Sequence, residues 1–201
     1  MNTPCVYIVD DDEAIRDALQ WLLKTRKIPC TTWASAEEFL DAIGPDWAGC
    51  VALDIRMEGM SGLECFDVLR ASGNTLPVIF ITGHGDVPMA VAALKNGAHD
   101  FIEKPFNDGD LIAVIQHAME IDAAHRHAQS ASQAVSERLT LLTAREREVM
   151  NLILEGKYNK VIADELNISM RTVEAHRSRI FEKMSVRSAV ELAQMLKGVS
   201  L

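Results

Sequence analysis

Residues 51–62 read VALDIRMEGMSG, and the fold of the first half turns on this stretch. An apolar run as short as Val51–Leu53 fits a buried strand better than a helix. It stops at a carboxylate, Asp54, and a loop rich in Met and Gly follows. A strand ending on a charge has a natural place at the carboxyl edge of a parallel sheet, where open α/β folds bind their ligands. The flanking sequence supplies such a sheet. VYIV (6–9), CTTW (30–33), PVIFIT (77–82) and HDFIEK (99–104) read as further strands. Helical patterns alternate with them: Glu13 to about Lys24, a segment capped by Ser35 and running to about Ile43, Ser61 to about Ala71, Pro88 to about Asn96 with Gly97 as C-cap, and Asp108 to about Asp122. Strands alternating with helices predict a five-stranded parallel sheet covered by helices on both faces.

The 201 residues allow one large domain or two small ones. With 48% apolar and 24% charged residues, the chain has the composition of a globular protein. No apolar run approaches the roughly 20 residues that cross a bilayer, and the acidic N-terminus does not read as a secretory signal, so a cytoplasmic protein is expected. Cys5, Cys30, Cys50 and Cys65 lack metal-ligand spacing and read as buried free thiols. The net charge of −9 is uneven: residues 1–122 carry 20 acidic against 8 basic side chains, whereas residues 139–201 carry 8 acidic against 10 basic. An acidic half joined to a mildly basic half suggests two domains with different partners. The boundaries are read as 1–122 and 139–201, with a linker at 123–138 whose Ala-, Gln- and Ser-rich composition favours helix.

The predicted strand ends carry polar residues. Asp10 and Asp11 follow the first strand, Asp54 ends the third, Thr82 the fourth and Lys104 the fifth. Asp12 reads as the cap of the first helix. Crowded carboxylates repel one another unless a hard cation lies between them, and Mg²⁺, which takes oxygen ligands and keeps phosphate oxygens in its shell, suits that role. One carboxylate can then act as a nucleophile toward phosphorus, with the ammonium and hydroxyl stabilising the transferred oxygens. On the residues alone two uses remain open: a phosphorylation site, or a Mg²⁺-dependent phosphohydrolase with Asp54 as nucleophile. The short connections leave little room for the substrate pocket that the second needs.

The segments YIVDDDEAIRDAL, ALDIRMEGMSGLE and VIFITGHGDVPMAVAALKNGAHDFIEKPF resemble the receiver domain of two-component response regulators of the NarL/FixJ type. The resemblance implies a flavodoxin-like fold and Asp54 as the phosphoacceptor, supplied by a sensor histidine kinase. It implies that Asp10 and Asp11 form the acidic pair, with Asp11, Asp54 and the backbone carbonyl of Arg56 holding Mg²⁺ and Asp10 acting mainly through water. Thr82 is the implied switch hydroxyl, Lys104 the phosphate-binding ammonium and Phe101 the aromatic switch, and the Lys104–Pro105 bond is expected cis. Arg56 and His84 stand where such regulators tune dephosphorylation, and Val91 and Lys95 on the face they use to dimerise. One residue departs from the pattern: Glu58 stands where relatives commonly have Pro, which frees the loop and adds a carboxylate near an acidic site.

Residues 139–201 read as all-helical. LTAREREVMNLILEG (142–156) carries a Thr143–Glu146 capping box and ends at Gly156; NKVIADEL (159–166), MRTVEAHRSRIFEKM (170–184) and SAVELAQMLKG (188–198) follow. A short helix, a tight turn and a helix dense in basic and polar residues is the helix-turn-helix pattern. On the third of these helices Val173, His176, Ile180 and Met184 read as inward. Arg171, Glu174, Arg177, Ser178 and Arg179 fall on the other face, suited to phosphates and base edges. This half resembles the LuxR-type helix-turn-helix of the same regulators through its opening LTAREREV, NKVIA, RTVEAH and KM segments. That resemblance implies Glu174, Ala175 and Ser178 as base-facing, and Asn159, Lys160, Thr172, Arg177 and Lys183 as phosphate contacts. The expected protein is a transcription factor, not a turnover enzyme. Phosphorylation at Asp54 would promote a homodimer on double-stranded promoter DNA, commonly to activate RNA polymerase. A phosphorylation-independent DNA binder with a degenerate receiver is the remaining competitor.

Overall fold

The computed structural model describes residues 3–83 and 87–197, which form two compact units divided between Arg126 and His127. In the first unit β1 (Cys5–Val9), β2 (Cys30–Trp33), β3 (Gly49–Asp54), β4 (Val78–Thr82) and β5 (Asp100–Glu103) pair in parallel in the order β2-β1-β3-β4-β5. Between and after them lie α1 (Glu13–Thr25), α2 (Ala36–Ala42), α3 (Gly62–Ala71), α4 (Val87–Lys95) and α5 (Asp108–Thr140). His84 lies outside the described residues.

Alternation along the strands sorts the core into two layers. Val6, Ile8, Cys50, Ala52, Ile79 and Ile81 pack with Leu19, Leu22 and Leu23 of α1 and Leu111, Ile112 and Ile115 of α5. Tyr7, Val9, Val51, Leu53, Val78 and Phe80 pack with Phe39 of α2, Cys65, Phe66 and Leu69 of α3, and Ala93 of α4. Every residue of β3 and β4 is buried, which is why both read as unbroken apolar runs, whereas the edge strand β2 keeps Thr31 exposed. The chain leaves β1 for β2 on one side and returns to β3 on the other, so the crevice where the order reverses lies above the carboxyl ends of β1 and β3.

Two expectations change. β3 begins at Gly49, two residues before the apolar run, because Gly49 and Cys50 pair with Cys5 and Val6. Gly49 holds φ +121°, and a Cβ there would stand 1.9 Å from the Cys5 carbonyl oxygen, so only glycine fits. Cys50 and Cys65 are buried, but Cys5 and Cys30 are only partly so, since they sit at the amino ends of their strands. The linker residues 123–138 are helical, in line with their composition: α5 runs on past Asp122 through them, and its Val135 and Leu139 join the core of the second unit.

That unit adds α6 (Ala144–Leu154), α7 (Asn159–Leu166), α8 (Met170–Met184) and α9 (Ala189–Met195) around Val149, Met150, Ile153, Ile162, Val173, Ile180, Met184 and Leu192. Thr143 and Glu146 complete the capping box that opens α6. Asn167, left-handed at φ 51°, ends α7, the Ile168 N–H returns to the Ala163 carbonyl, and Ser169 caps α8. These residues make the tight turn between the two helices.

Candidate functional site

Of the residues expected at the strand ends, Asp10, Asp11, Asp54 and Lys104 meet at the β1/β3 edge. Oxygens of Asp10, Asp11 and Asp54 lie within 4.8 Å of one another. Lys104 enters from the end of β5 and donates to Asp10 Oδ2 at 2.8 Å and to Asp54 Oδ1 at 2.9 Å. Its bond to Pro105 is cis, as expected. Asp10 Oδ1 accepts the Asp12 N–H, and Arg16 donates to the Asp10 carbonyl at 2.7 Å. Asp12 itself caps α1, accepting from the Ala14 N–H. Burial pushes the Asp54 carboxyl up, and the hydrogen bond from Lys104 offsets part of that rise. For Lys104 burial works downward, but the bonds to Asp10 and Asp54 outweigh it and the ammonium is held above its usual range.

Three carboxylates against one ammonium leave a formal excess of negative charge in a pocket lined by oxygen donors. That donor set fits Mg²⁺ and suits no soft metal. Asp11 Oδ1 and Asp54 Oδ2 accept no hydrogen bond from the described residues, whereas the other oxygens of both groups are engaged, Asp11 Oδ2 by the Glu58 N–H at 2.8 Å. Arg56 is exposed in the loop after β3. Thr82 is fully buried and its hydroxyl donates to the Gly83 carbonyl rather than to the carboxylates. Phe101, in register with Phe80, packs half-buried on the layer of α2 to α4.

On α8 the exposed residues Arg171, Glu174, Ala175 and Ser178 fall at helical spacing, with Thr172 and Arg179 alongside, while Val173, Ile180 and Met184 are buried. Arg177 is half-buried with its guanidinium 5.4 Å from the centre of the Phe181 ring. His176 is half-buried. Asn159 and Lys160 open α7, half-buried and exposed respectively. Lys183, expected as a phosphate contact, has internal partners in the free chain. It turns back from α8 to donate to Glu146 Oε2 at 2.6 Å and to the Leu141 carbonyl at 3.0 Å. A Lys in the last turn of a basic helix reads as solvent-facing, but here a buried carboxylate takes it up.

Sequence reasoning missed the partners of these groups. Arg16, Glu58 as a backbone donor, and Glu37, which accepts the Met60 N–H at 2.9 Å, all shape the acidic pocket. Arg16 lies on α1 one turn beyond its cap, close enough to the pocket to have been suspected. The two backbone donors leave no mark in a pattern of side chains.

Comparison with known proteins gives two matches along the chain. Residues 6–116 match the response regulator receiver domain, and residues 140–196 match the bacterial regulatory proteins of the luxR family. The C4-dicarboxylate transport transcriptional regulatory protein DctR of Rhodobacter capsulatus is 48% identical over 192 residues, covering 94% of this chain and 98% of that protein. The transcriptional regulatory protein FixJ of Azorhizobium caulinodans is 43% identical over 197 residues, covering 97% and 93%. Among solved structures, the response regulator StyR superposes with a TM-score of 0.92 at 38% identity over 98% of this chain and 99% of that one. Full-length FixJ from B. japonicum gives 0.62 at 38% identity over 98% and 97%.

Proposed function

This chain belongs to the transcriptional response regulators of the NarL/FixJ type, which are not turnover enzymes, and from that premise we propose that Asp54 is its phosphoacceptor. The observation that carries the reading is the placement of Asp54 beside Asp10, Asp11 and Lys104 at the carboxyl edge of the sheet. An Asp54 oxygen attacks the phosphorus of a phosphohistidine on the kinase. The new O–P bond forms as the N–P bond breaks, and the electron pair leaves with the imidazole nitrogen. Asp11 and Asp54, with the Arg56 carbonyl and Asp10 nearby, would hold Mg²⁺, which when bound would supply charge neutralisation for the transferred oxygens. Lys104, now 2.9 Å from Asp54 Oδ1, passes from the carboxylate to a phosphoryl oxygen. Thr82 exchanges its bond to Gly83 for another phosphoryl oxygen, and Phe101 turns inward behind it. Once phosphorylated, the active conformation is populated to the extent that it accommodates the phosphoryl group better than the inactive conformation does.

The domains are 1–122 for reception and 139–201 for DNA, joined by residues 123–138. Phosphorylation favours a homodimer through the face that exposes Val91 and Lys95. The dimer binds paired half-sites in double-stranded promoter DNA and engages RNA polymerase, within the cytoplasm. Glu174, Ala175 and Ser178 read bases. Asn159, Lys160, Arg171, Thr172, Arg177 and Arg179 hold phosphates. Among the described residues no helix is long and apolar enough to span a membrane. The test is incubation with acetyl phosphate and Mg²⁺ followed by mass spectrometry. The wild type is expected to gain one acid-labile phosphoryl group and Asp54→Asn none; a wild type that gains nothing overturns the reading.

A further inference from the structure

We infer that the backbone N–H of Glu58 is a positioning group of the cation site: it holds one oxygen of Asp11 so that the other faces Asp54. The inference rests on the reading of Asp10, Asp11 and Asp54 as a divalent-cation pocket and adds the element that orients its most exposed member.

Asp10 and Asp54 are buried and share Lys104, which fixes both. Asp11 is exposed, and an exposed Asp is free to sample several rotamers. Its Oδ2 accepts the Glu58 N–H at 2.8 Å, a bond that joins the β1–α1 turn to the loop after β3. That loop is itself held from other directions. The Met60 N–H is bound by Glu37 Oε1, the Gly62 N–H returns to the Ile55 carbonyl, and Ser61 and Glu64 form a complete capping box at the start of α3. Gly59 sits at φ +81°, and a Cβ there would lie 2.9 Å from Glu37 Oε1. The amide is therefore fixed by its loop and can fix Asp11 in turn. A donor to the second oxygen of a metal-binding carboxylate sets its direction, and loss of such partners typically costs about 10–100-fold in metal affinity.

The Glu58 side chain is exposed, so the peptide group and not the carboxylate carries the effect. Two substitutions separate them. Glu58→Pro removes the N–H, whereas Glu58→Gln keeps it and removes the charge. Mg²⁺ affinity of the unphosphorylated full chain, by calorimetry, is expected to fall about tenfold or more in Glu58→Pro and to stay within about twofold in Glu58→Gln. Equal affinity in Glu58→Pro and wild type overturns the inference, as does a loss in Glu58→Gln as large as in Glu58→Pro. A wild type that binds no Mg²⁺ overturns the cation reading along with it. Amide hydrogen exchange of the metal-free wild type and of Asp11→Ala gives an arm that does not depend on the folding of Glu58→Pro. The Glu58 amide should be protected in the first and lose that protection in the second; fast exchange in both overturns the inference.

Discussion

Replacing Lys183 with Met removes an ammonium 2.6 Å from Glu146 Oε2 while keeping most of the aliphatic stem. Glu146 is 2% exposed. Its carboxyl is lowered from 4.5 to about 2, above all by the hydrogen bond from Lys183, with burial opposing and the Thr143 N–H and hydroxyl adding to the effect. At about 1.4 kcal/mol per pH unit, a shift of that size corresponds to about 3 kcal/mol. The folded carboxyl is the stronger acid. Its contribution is therefore fully present above the ordinary value of 4.5 and is lost as the pH falls from there toward about 2. Lys183→Met leaves the carboxylate buried with Thr143 as its remaining partner; because Thr143 supplies part of the shift and the Lys183 side chain keeps 31% of its surface in solvent, the second unit should lose about 1–2 kcal/mol at neutral pH. The same variant should lose little more on acidification through that window. The assay is urea unfolding of residues 127–201, which hold their own core, at a series of pH values. Far-ultraviolet circular dichroism is the probe, since all three tryptophans lie at positions 21, 33 and 47. A variant with the wild-type midpoint at neutral pH and the same acid dependence refutes the reasoning.

Lys104→Ala removes the ammonium shared by Asp10 and Asp54, so Mg²⁺ should bind several-fold more tightly in calorimetry, the cation having lost its resident competitor; unchanged or weaker binding counts against that balance of charge. Gly49→Ala places a methyl group 1.9 Å from the Cys5 carbonyl oxygen at φ +121°. It should destabilise the first unit by more than about 3 kcal/mol, read by the fluorescence of Trp33 and Trp47, which cluster with Tyr7 beside that strand entry; an unchanged unfolding midpoint contradicts the steric argument.

The parts legible in the sequence are those whose causes are local or periodic. Burial of β3 and β4 on both faces forces continuous apolar runs, and parallel pairing then puts Asp54, Thr82 and Lys104 at one edge whatever the register. Caps are local as well: Asp12 with Ala14, and Thr143 with Glu146. Pairings across the chain were not legible. Lys104 bridges to Asp10 and Asp54 across 94 and 50 residues, and no pattern in the sequence says that one ammonium serves both. Glu146 was already accounted for as half of a capping box, which hid its second use. The same Oε2 that accepts from Thr143 also accepts from Lys183.

That second use changes how the charge of the DNA-binding half is to be counted. Its excess of basic over acidic residues is small, and part of it is spent inside the unit. Lys183 is taken by Glu146, Arg145 by Glu148, and Lys157 by Glu155 and Glu165. On α7 and α8 the cations outside these pairs are Lys160, Arg171, Arg177 and Arg179. Each phosphate neutralised by one of them contributes about −0.9 to the slope of log affinity against log salt, so the side chains of these two helices contribute at most about −3.6 per protomer. Arg177→Ala should reduce the measured slope by about one unit, and Lys183→Met, compared where both proteins are folded, should leave it unchanged. A slope lost with Lys183 instead would mean that its ammonium leaves Glu146 for the DNA, and the internal pair would then belong to the free protein alone.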